Sequence, residues 1–281
     1  MAELMRIADW RRGYVDICEV VAATGDERDC RAGTVRELRD FVFTLDPSCI
    51  DLPVGVGRNV PVALAAAEAI QLCAGLGMPY LTEAVSSTVA SFVRDPDGTV
   101  HGNYGQRVGS QLVDVAHKMI ADKYTRQAVI QIWNKRYDKF NVPMPKDIPC
   151  TLTITFGVDA DGLTMSVSMR SNDVWLGLPF DVFQFRQLQR TMAYVLKMDI
   201  GGYCHHAVSM HAYDRNIERI DELVVSPCWS DESIGDANGI RVDSARYLVS
   251  TALDILRGGR QNDLSNIWYQ DKLAGAYATL G

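Results

Sequence analysis

Two stretches of strict alternation stand out in the hydrophobic and polar pattern of this chain. Cys150-Thr-Leu-Thr-Ile-Thr-Phe156 and Leu163-Thr-Met-Ser-Val-Ser-Met169 interleave apolar residues with small hydroxyl residues. A period of two predicts strands, and the turn-forming Asp159-Ala-Asp-Gly162 between them predicts a β-hairpin. Elsewhere the spacing is helical. Val62 to Ala74 sets Leu64, Ala67, Ile70 and Leu72 against Glu68 and Gln71, and Gln106 to Lys123 repeats Val108, Leu112, Val115, Met119 and Ile120. Ala128-Val-Ile-Gln-Ile-Trp133 is β-branched and reads as a strand. The amphipathic run Val182 to Met198 predicts a helix capped by Asp181 and followed by Gly201-Gly202. Asp243 precedes another through Arg257, stopped by Gly258-Gly259. There is no internal repeat, low-complexity segment or long linker. Clustered strands with helices around them predict an α+β architecture, with residues 1–281 as one domain.

Composition narrows the function classes. Of 281 residues, 47% are apolar, enough for a packed core, and 22% are charged. The net charge of -7 argues against nucleic acid as a partner, which needs a basic footprint, yet leaves room for a local phosphate pocket. The N-terminus mixes charge throughout without a signal-peptide core. The most apolar stretch, Val60 to Leu81, is interrupted by Glu68 and Gln71, so no membrane span is expected. Seven scattered cysteines without a Cys-x-x-Cys pair fit a reducing cytoplasm, with most thiols buried as small hydrophobes. No metal is expected, because His206 and His211 are five apart with no carboxylate at a ligand spacing. Gly55-Val-Gly57 lacks the context and third glycine of a dinucleotide loop.

The hairpin places a thiol, Cys150, at one end and Arg170-Ser-Asn-Asp173 at the other, followed by Leu176-Gly-Leu-Pro-Phe-Asp181. A thiol beside a cation is an ordinary way to a thiolate nucleophile. These residues resemble the heart of thymidylate synthase and of the pyrimidine-nucleotide hydroxymethylases. In that family Pro-Cys, Arg-Ser-x-Asp and Leu-Pro-Phe-Asn or Leu-Pro-Phe-Asp follow in this order. The resemblance covers about Arg31 to Asn216, and residues 217–281 diverge. It implies a mixed β-sheet with surrounding helices and a homodimer joined sheet to sheet.

Residue by residue, the resemblance implies the following roles. Cys150 is the nucleophile that adds to pyrimidine C6, and Glu68 is a carboxyl of raised pKa that relays protons through water. Arg31, in Arg31-Ala-Gly-Thr34, binds phosphate with Arg170 and Ser171, and Arg170 helps hold Cys150 as thiolate. Arg126 reaches the partner's phosphate across the dimer, while Gln127 stands where the family carries a second arginine. Lys135, Arg136 and Lys139 either compensate or form a solvated run. Tyr104 is a hydrogen-bonding phenol, and His211 and Tyr213 hold the sugar. Asp173 contacts the pterin of the cosubstrate 5,10-methylenetetrahydrofolate, and Arg58 contacts its acidic tail.

Asp181 decides the base. Uracil offers an N3–H donor and an O4 acceptor, which an amide matches. Cytosine offers an N4 amino donor beside N3, which a carboxylate matches. A buried mismatch of this kind discriminates by roughly 10⁴-fold. In the family, asparagine here accompanies uridylate and aspartate accompanies cytidylate. Family members that form a methyl group shield their intermediate with a tryptophan; alignment from Tyr104 puts Ala90 there, and the tail Lys272–Gly281 also departs. The expected product is therefore 5-hydroxymethyl cytidylate or deoxycytidylate. A C5-methyltransferase, with Phe92 as shield, and a catalytically silent nucleotide-binding member are the alternatives. The sugar stays open between phage DNA modification (host cytoplasm) and nucleoside-antibiotic synthesis.

Overall fold

The computed structural model describes residues 4–49, 52–53, 56–73, 75, 86, 94–95, 97–98, 100–139 and 145–227. Gly55, Ala90, Phe92, the helix expected at 243–257 and the tail at 272–281 lie outside them. In chain order the elements are β1 (Met5–Ile7), α1 (Trp10–Thr24), β2 (Asp26–Cys30), β3 (Gly33–Leu45) and α2 (Val62–Cys73). Next come α3 (Tyr104–Ala121), β4 (Val129–Gln131), the short α4 (Lys135–Asp138), β5 (Thr151–Val158), β6 (Leu163–Met169) and β7 (Asn172–Asp173). The last are α5 (Leu178–Leu196), β8 (Ile200–Tyr213) and α6 (Asp214–Val225).

The expected α+β layering is present. Among the described residues one mixed sheet runs β1-β3-β8-β6-β5-β4, with β2 on β3 and β7 on β8. β3 is antiparallel to β8, β8 parallel to β6, and β6 antiparallel to β5. The β5–β6 hairpin forms as its alternation dictates, with Ile154 opposite Val167 and Phe156 opposite Met165. Gly162 makes its turn possible. It sits at φ 139, and a Cβ there would come within 2.3 Å of the Asp199 carbonyl oxygen. Asp159 closes the turn by accepting from Asp161 N–H at 2.9 Å and Gly162 N–H at 3.1 Å.

Helices cover one face. Trp10 of α1 stacks on Phe43 of β3, 5.5 Å between centroids, and Phe43 stacks on His205 of β8 at 5.0 Å. Two sequence expectations about α5 need correction. The helix starts at Leu178, not after Asp181, because Pro179 is welcome in a first turn where its missing N–H costs nothing. Asp181 therefore lies inside the first turn and does not cap it. The helix ends at Leu196 on a left-handed Lys197, and Gly201-Gly202 belong to β8. Nor is α5 amphipathic in effect: Val182 to Leu188 is buried throughout, polar Gln184, Arg186 and Gln187 included. Arg186 donates to Pro47 O and Gln189 Oε1, and Gln189 Nε2 reaches the carbonyls of Leu163, Gly201 and Gly202. These bonds satisfy buried polar groups and pin α5 to the sheet.

The cysteines are only partly as expected. Cys18 and Cys49 are buried, Cys73, Cys150 and Cys204 half-buried, Cys30 exposed, and all six are free thiols. Among the described residues no helix is long and apolar enough to cross a membrane.

Candidate active site

Cys150 sits at the mouth of β5, half-buried, where the start of the hairpin meets β7 and α3. Ser171 Oγ points at its sulfur from 3.6 Å. Arg170 Nη1 holds that Ser171 oxygen at 3.2 Å, while its other nitrogens donate to the Pro149 carbonyl (2.9 Å) and the Ile148 carbonyl (2.8 Å). Tyr104, the first residue of α3, accepts the N–H groups of Cys150 and Thr151 at its phenol oxygen, both at 3.1 Å. Burial pushes the Cys150 pKa up; Arg170 and Ser171 pull it down, and Asp181 and Asp147 add to the rise. A cation and a hydroxyl thus stand beside the thiol, against the burial that opposes its ionisation.

Glu68 projects from α2 among buried Ala65, Ala67, Ala69 and Ile70. Burial, then the nearby charge of Asp181, pushes its pKa up to about 8. Asp181 behaves similarly. Burial raises it to about 7, against the pull of two amides: Asn172 Nδ2 donates to Oδ2 at 2.7 Å and Gln184 Nε2 to Oδ1 at 3.1 Å. Two carboxyls, one from α2 and one from α5, lie within electrostatic reach of each other.

Asp173 uses one oxygen for structure and leaves the other idle. Oδ1 accepts from Trp175 N–H (2.7 Å) and Leu176 N–H (2.9 Å), whereas Oδ2 is buried without a partner. Opposite it in register stands His211, whose Nδ1 is also buried and unpartnered. Such orphaned atoms are costly unless a ligand completes them. Tyr213 meets the His211 ring edge-on at 5.3 Å and lies under the Arg215 guanidinium at 3.8 Å. Arg215 Nη1 in turn donates to the Ala32 carbonyl at 3.2 Å, tying the loop that carries Arg31 to Tyr213.

Arg31 and Arg126 stand apart from this cluster, exposed in the turns after β2 and α3. Arg58 is engaged inside the protein. Its guanidinium lies 4.3 Å over Trp175 and 5.7 Å from the Tyr14 ring, and it donates to the Tyr14 hydroxyl. Sequence reasoning missed Asn172, Gln184, Tyr203 and His205. Two signals were available: Asn172 lies inside the Arg-Ser-Asn-Asp run, and Tyr203-x-His205 has the period that puts both side chains on one strand face. Among the described residues no group of three His, Cys, Asp or Glu side chains is placed to hold a metal ion.

Comparison with known proteins bears on the family and the fold. The family model described as thymidylate synthase matches residues 12–228. A deoxyuridylate hydroxymethyltransferase of Bacillus phage SP01 is 29% identical over 217 residues, covering 71% of this chain and 56% of that protein. A thymidylate synthase of Bacillus licheniformis is 30% identical over 142 residues, covering 44% of this chain and 47% of its own length. The chain thus spans about half the length of these curated relatives. The solved thermostable thymidylate synthase A from Bacillus subtilis superposes with a TM-score of 0.64 at 21% identity, covering 76% of this chain and 84% of that one, and speaks for the fold alone. With most of its length matched by the family model, and with that fold, the chain belongs to the thymidylate synthase family.

Proposed function

We propose that this protein transfers a one-carbon unit to C5 of a cytosine nucleotide monophosphate, dCMP or CMP, and releases the 5-hydroxymethyl product. Membership in a family of folate-dependent enzymes acting on pyrimidine nucleotides supports the reaction class. The base assignment is carried by one observation: both oxygens of Asp181 already accept hydrogen bonds from amides, so the carboxylate is oriented to take another donor. The cytosine amino group is that donor, whereas ionised Asp181 would face O4 of uracil lone pair to lone pair.

In this reading Cys150 Sγ bonds to C6, the C5–C6 electron pair moves to C5, and the thiol proton leaves through Ser171 or bound water; once C5 carries the new carbon its own proton departs to water, and the sulfur leaves C6 to restore the double bond. Bound 5,10-methylenetetrahydrofolate supplies the one-carbon unit, and the idle Asp173 Oδ2 is the acceptor suited to its pterin. Arg58, stacked on Trp175, borders that side and is the candidate for the acidic tail. Tyr104, accepting the N–H groups of Cys150 and Thr151, positions the start of β5, and Glu68, which holds a proton until about pH 8, exchanges protons with the water that traps the C5 methylene. His211 and Tyr213 take the sugar, while Arg31, Arg170 and Ser171 take the phosphate. Arg126, exposed beyond α3, is assigned to the partner's phosphate in a homodimer joined through the open sheet face.

A second reading has its own support. The phage relative is named for deoxyuridylate, and Asp181 near pH 7 is partly protonated, so its O–H would satisfy O4 of uracil. Mass spectrometry of reactions with CMP, dCMP, UMP and dUMP separates the two. A gain of one CH₂O unit on a cytosine nucleotide is expected, with Asp181→Asn moving preference toward uracil. Gain on uracil alone in the parent would sink the base assignment, and a CH₂ gain would make the product methyl.

A further inference from the structure

Behind Asp181 lies a buried polar chain that the scheme above does not use. Tyr203 Oη meets His205 Nδ1 at 2.8 Å, His205 Nε2 meets Asn172 Oδ1 at 3.0 Å, and Asn172 Nδ2 meets Asp181 Oδ2 at 2.7 Å. Exposure of Tyr203, His205 and Asn172 is 1%, 0% and 3%. Asn172 comes from β7, Asp181 from α5, and the other two from β8. Gly177 makes the crossing possible, since a Cβ there would stand 3.1 Å from both Asn172 Nδ2 and Asp181 Oδ2.

The direction of the chain follows from its ends. A buried tyrosine O–H has to donate, and the recorded partner is His205 Nδ1, which must then be the bare nitrogen. The proton of a neutral imidazole therefore sits on Nε2 and is donated to Asn172 Oδ1. That orients the amide so that its NH₂ faces Asp181, which receives. The reverse direction, with Asp181 donating, would turn every group round and leave the Tyr203 proton without an acceptor. Burial beside His206 keeps His205 neutral, its pKa pushed down to about 3, and Phe43 stacks on its ring.

We propose that Tyr203, His205 and Asn172 form a one-way relay that holds Asp181 as a hydrogen-bond acceptor and sets the pH range over which it reads the base. Asn172 and His205 are thus positioning residues for specificity. The proposal rests on the reading that Asp181 faces the base. Other groups within electrostatic reach of Asp181 are Glu68 on α2, Tyr104 on α3, Cys150 and Asp173. Each of these four, when ionised, disfavours charge on Asp181, so the donors of the relay and of Gln184 are what oppose its neutralisation.

The test is NMR on the whole protein. In the parent, ¹⁵N-histidine spectra should show His205 as the neutral Nε2–H tautomer down to about pH 4. With ¹³Cγ-aspartate, assigned through Asp181→Asn, the Asp181 midpoint should rise by about one pH unit in Asn172→Leu and His205→Phe. His205→Gln, which restores a donor toward Asn172, should recover most of that change. The kcat/KM profile for the cytosine nucleotide should move with the midpoint. Unmoved midpoints in folded variants, or an Nδ1–H tautomer in the parent, overturn the relay; should the variants not fold, the parent's tautomer alone decides. Preference of the parent for uracil would instead defeat the reading of the base while leaving these titrations to judge the relay.

Discussion

Glu68 and Asp181 are carboxyls within electrostatic reach of each other, and the burial of Glu68 has a consequence for stability. Glu68 binds its proton more tightly folded (pKa about 8) than an ordinary glutamate does unfolded. Its contribution to stability is therefore complete below about pH 4 and is lost as pH climbs through 8. Replacing it by Gln removes the charge that the fold must otherwise bury. Glu68→Gln should melt higher than the parent at pH 9, by the equivalent of about 2 kcal/mol once solvent reaching Glu68 is allowed for. At pH 4 the two should agree. Calorimetry at both pH values measures the double difference, and a variant less stable at pH 9 would refute it. At this scale the sequence was generous: Cys150, Arg170, Ser171, Asp173 and Asp181 are legible as a run. Asn172 lay inside that run unnoticed, because its meaning depends on His205, which is 33 positions away. No local pattern reports a contact of that kind.

At the scale of elements, alternation predicted the β5–β6 hairpin to within two residues, because a half-buried hairpin writes itself as period two. Strand β3, 13 residues long, and strand β8, 14 residues long, went unread, since their pairing is with each other across most of the chain. The start of α5 was misplaced because Gly177 and Pro179 look like loop residues until the helix is seen to begin on them. The same sheet carries the argument for a second copy. Thr155, Ser166, Cys204 and Thr44 form one register row on the side away from the helices, and Thr153, Ser168, His206 and Val42 the next. Each of these eight keeps exposed surface in the single chain. Sedimentation should find a species of twice 31.2 kDa, and the paired change Ser166→Arg with Ser168→Arg should yield the single chain. A parent that sediments as a monomer at micromolar concentration would refute the dimer.

The whole molecule assembles its site from parts that are far apart in sequence. Cys150 opens β5, Glu68 rides on α2, Asp181 on α5 and His211 on β8, and the fold brings Asp181 within electrostatic reach of both Glu68 and Cys150. The resemblance proposes these four positions from the order of motifs along the chain. It did not give the burial and the neighbouring carboxyls that push the thiol's pKa up. Nor did it give the engagement of Arg58 by Tyr14 and Trp175. The central claim, transient bonding of Cys150 to a cytosine ring, is open to one direct measurement. Cytidylate or deoxycytidylate carrying tritium at C5 is incubated with the protein and methylenetetrahydrofolate, beside the Cys150→Ala variant. Release of tritium to water by the parent, lowered by a factor of about 10³ or more in the variant, is the predicted result. Equal release from both proteins, or release from the uracil counterpart alone, would contradict the account.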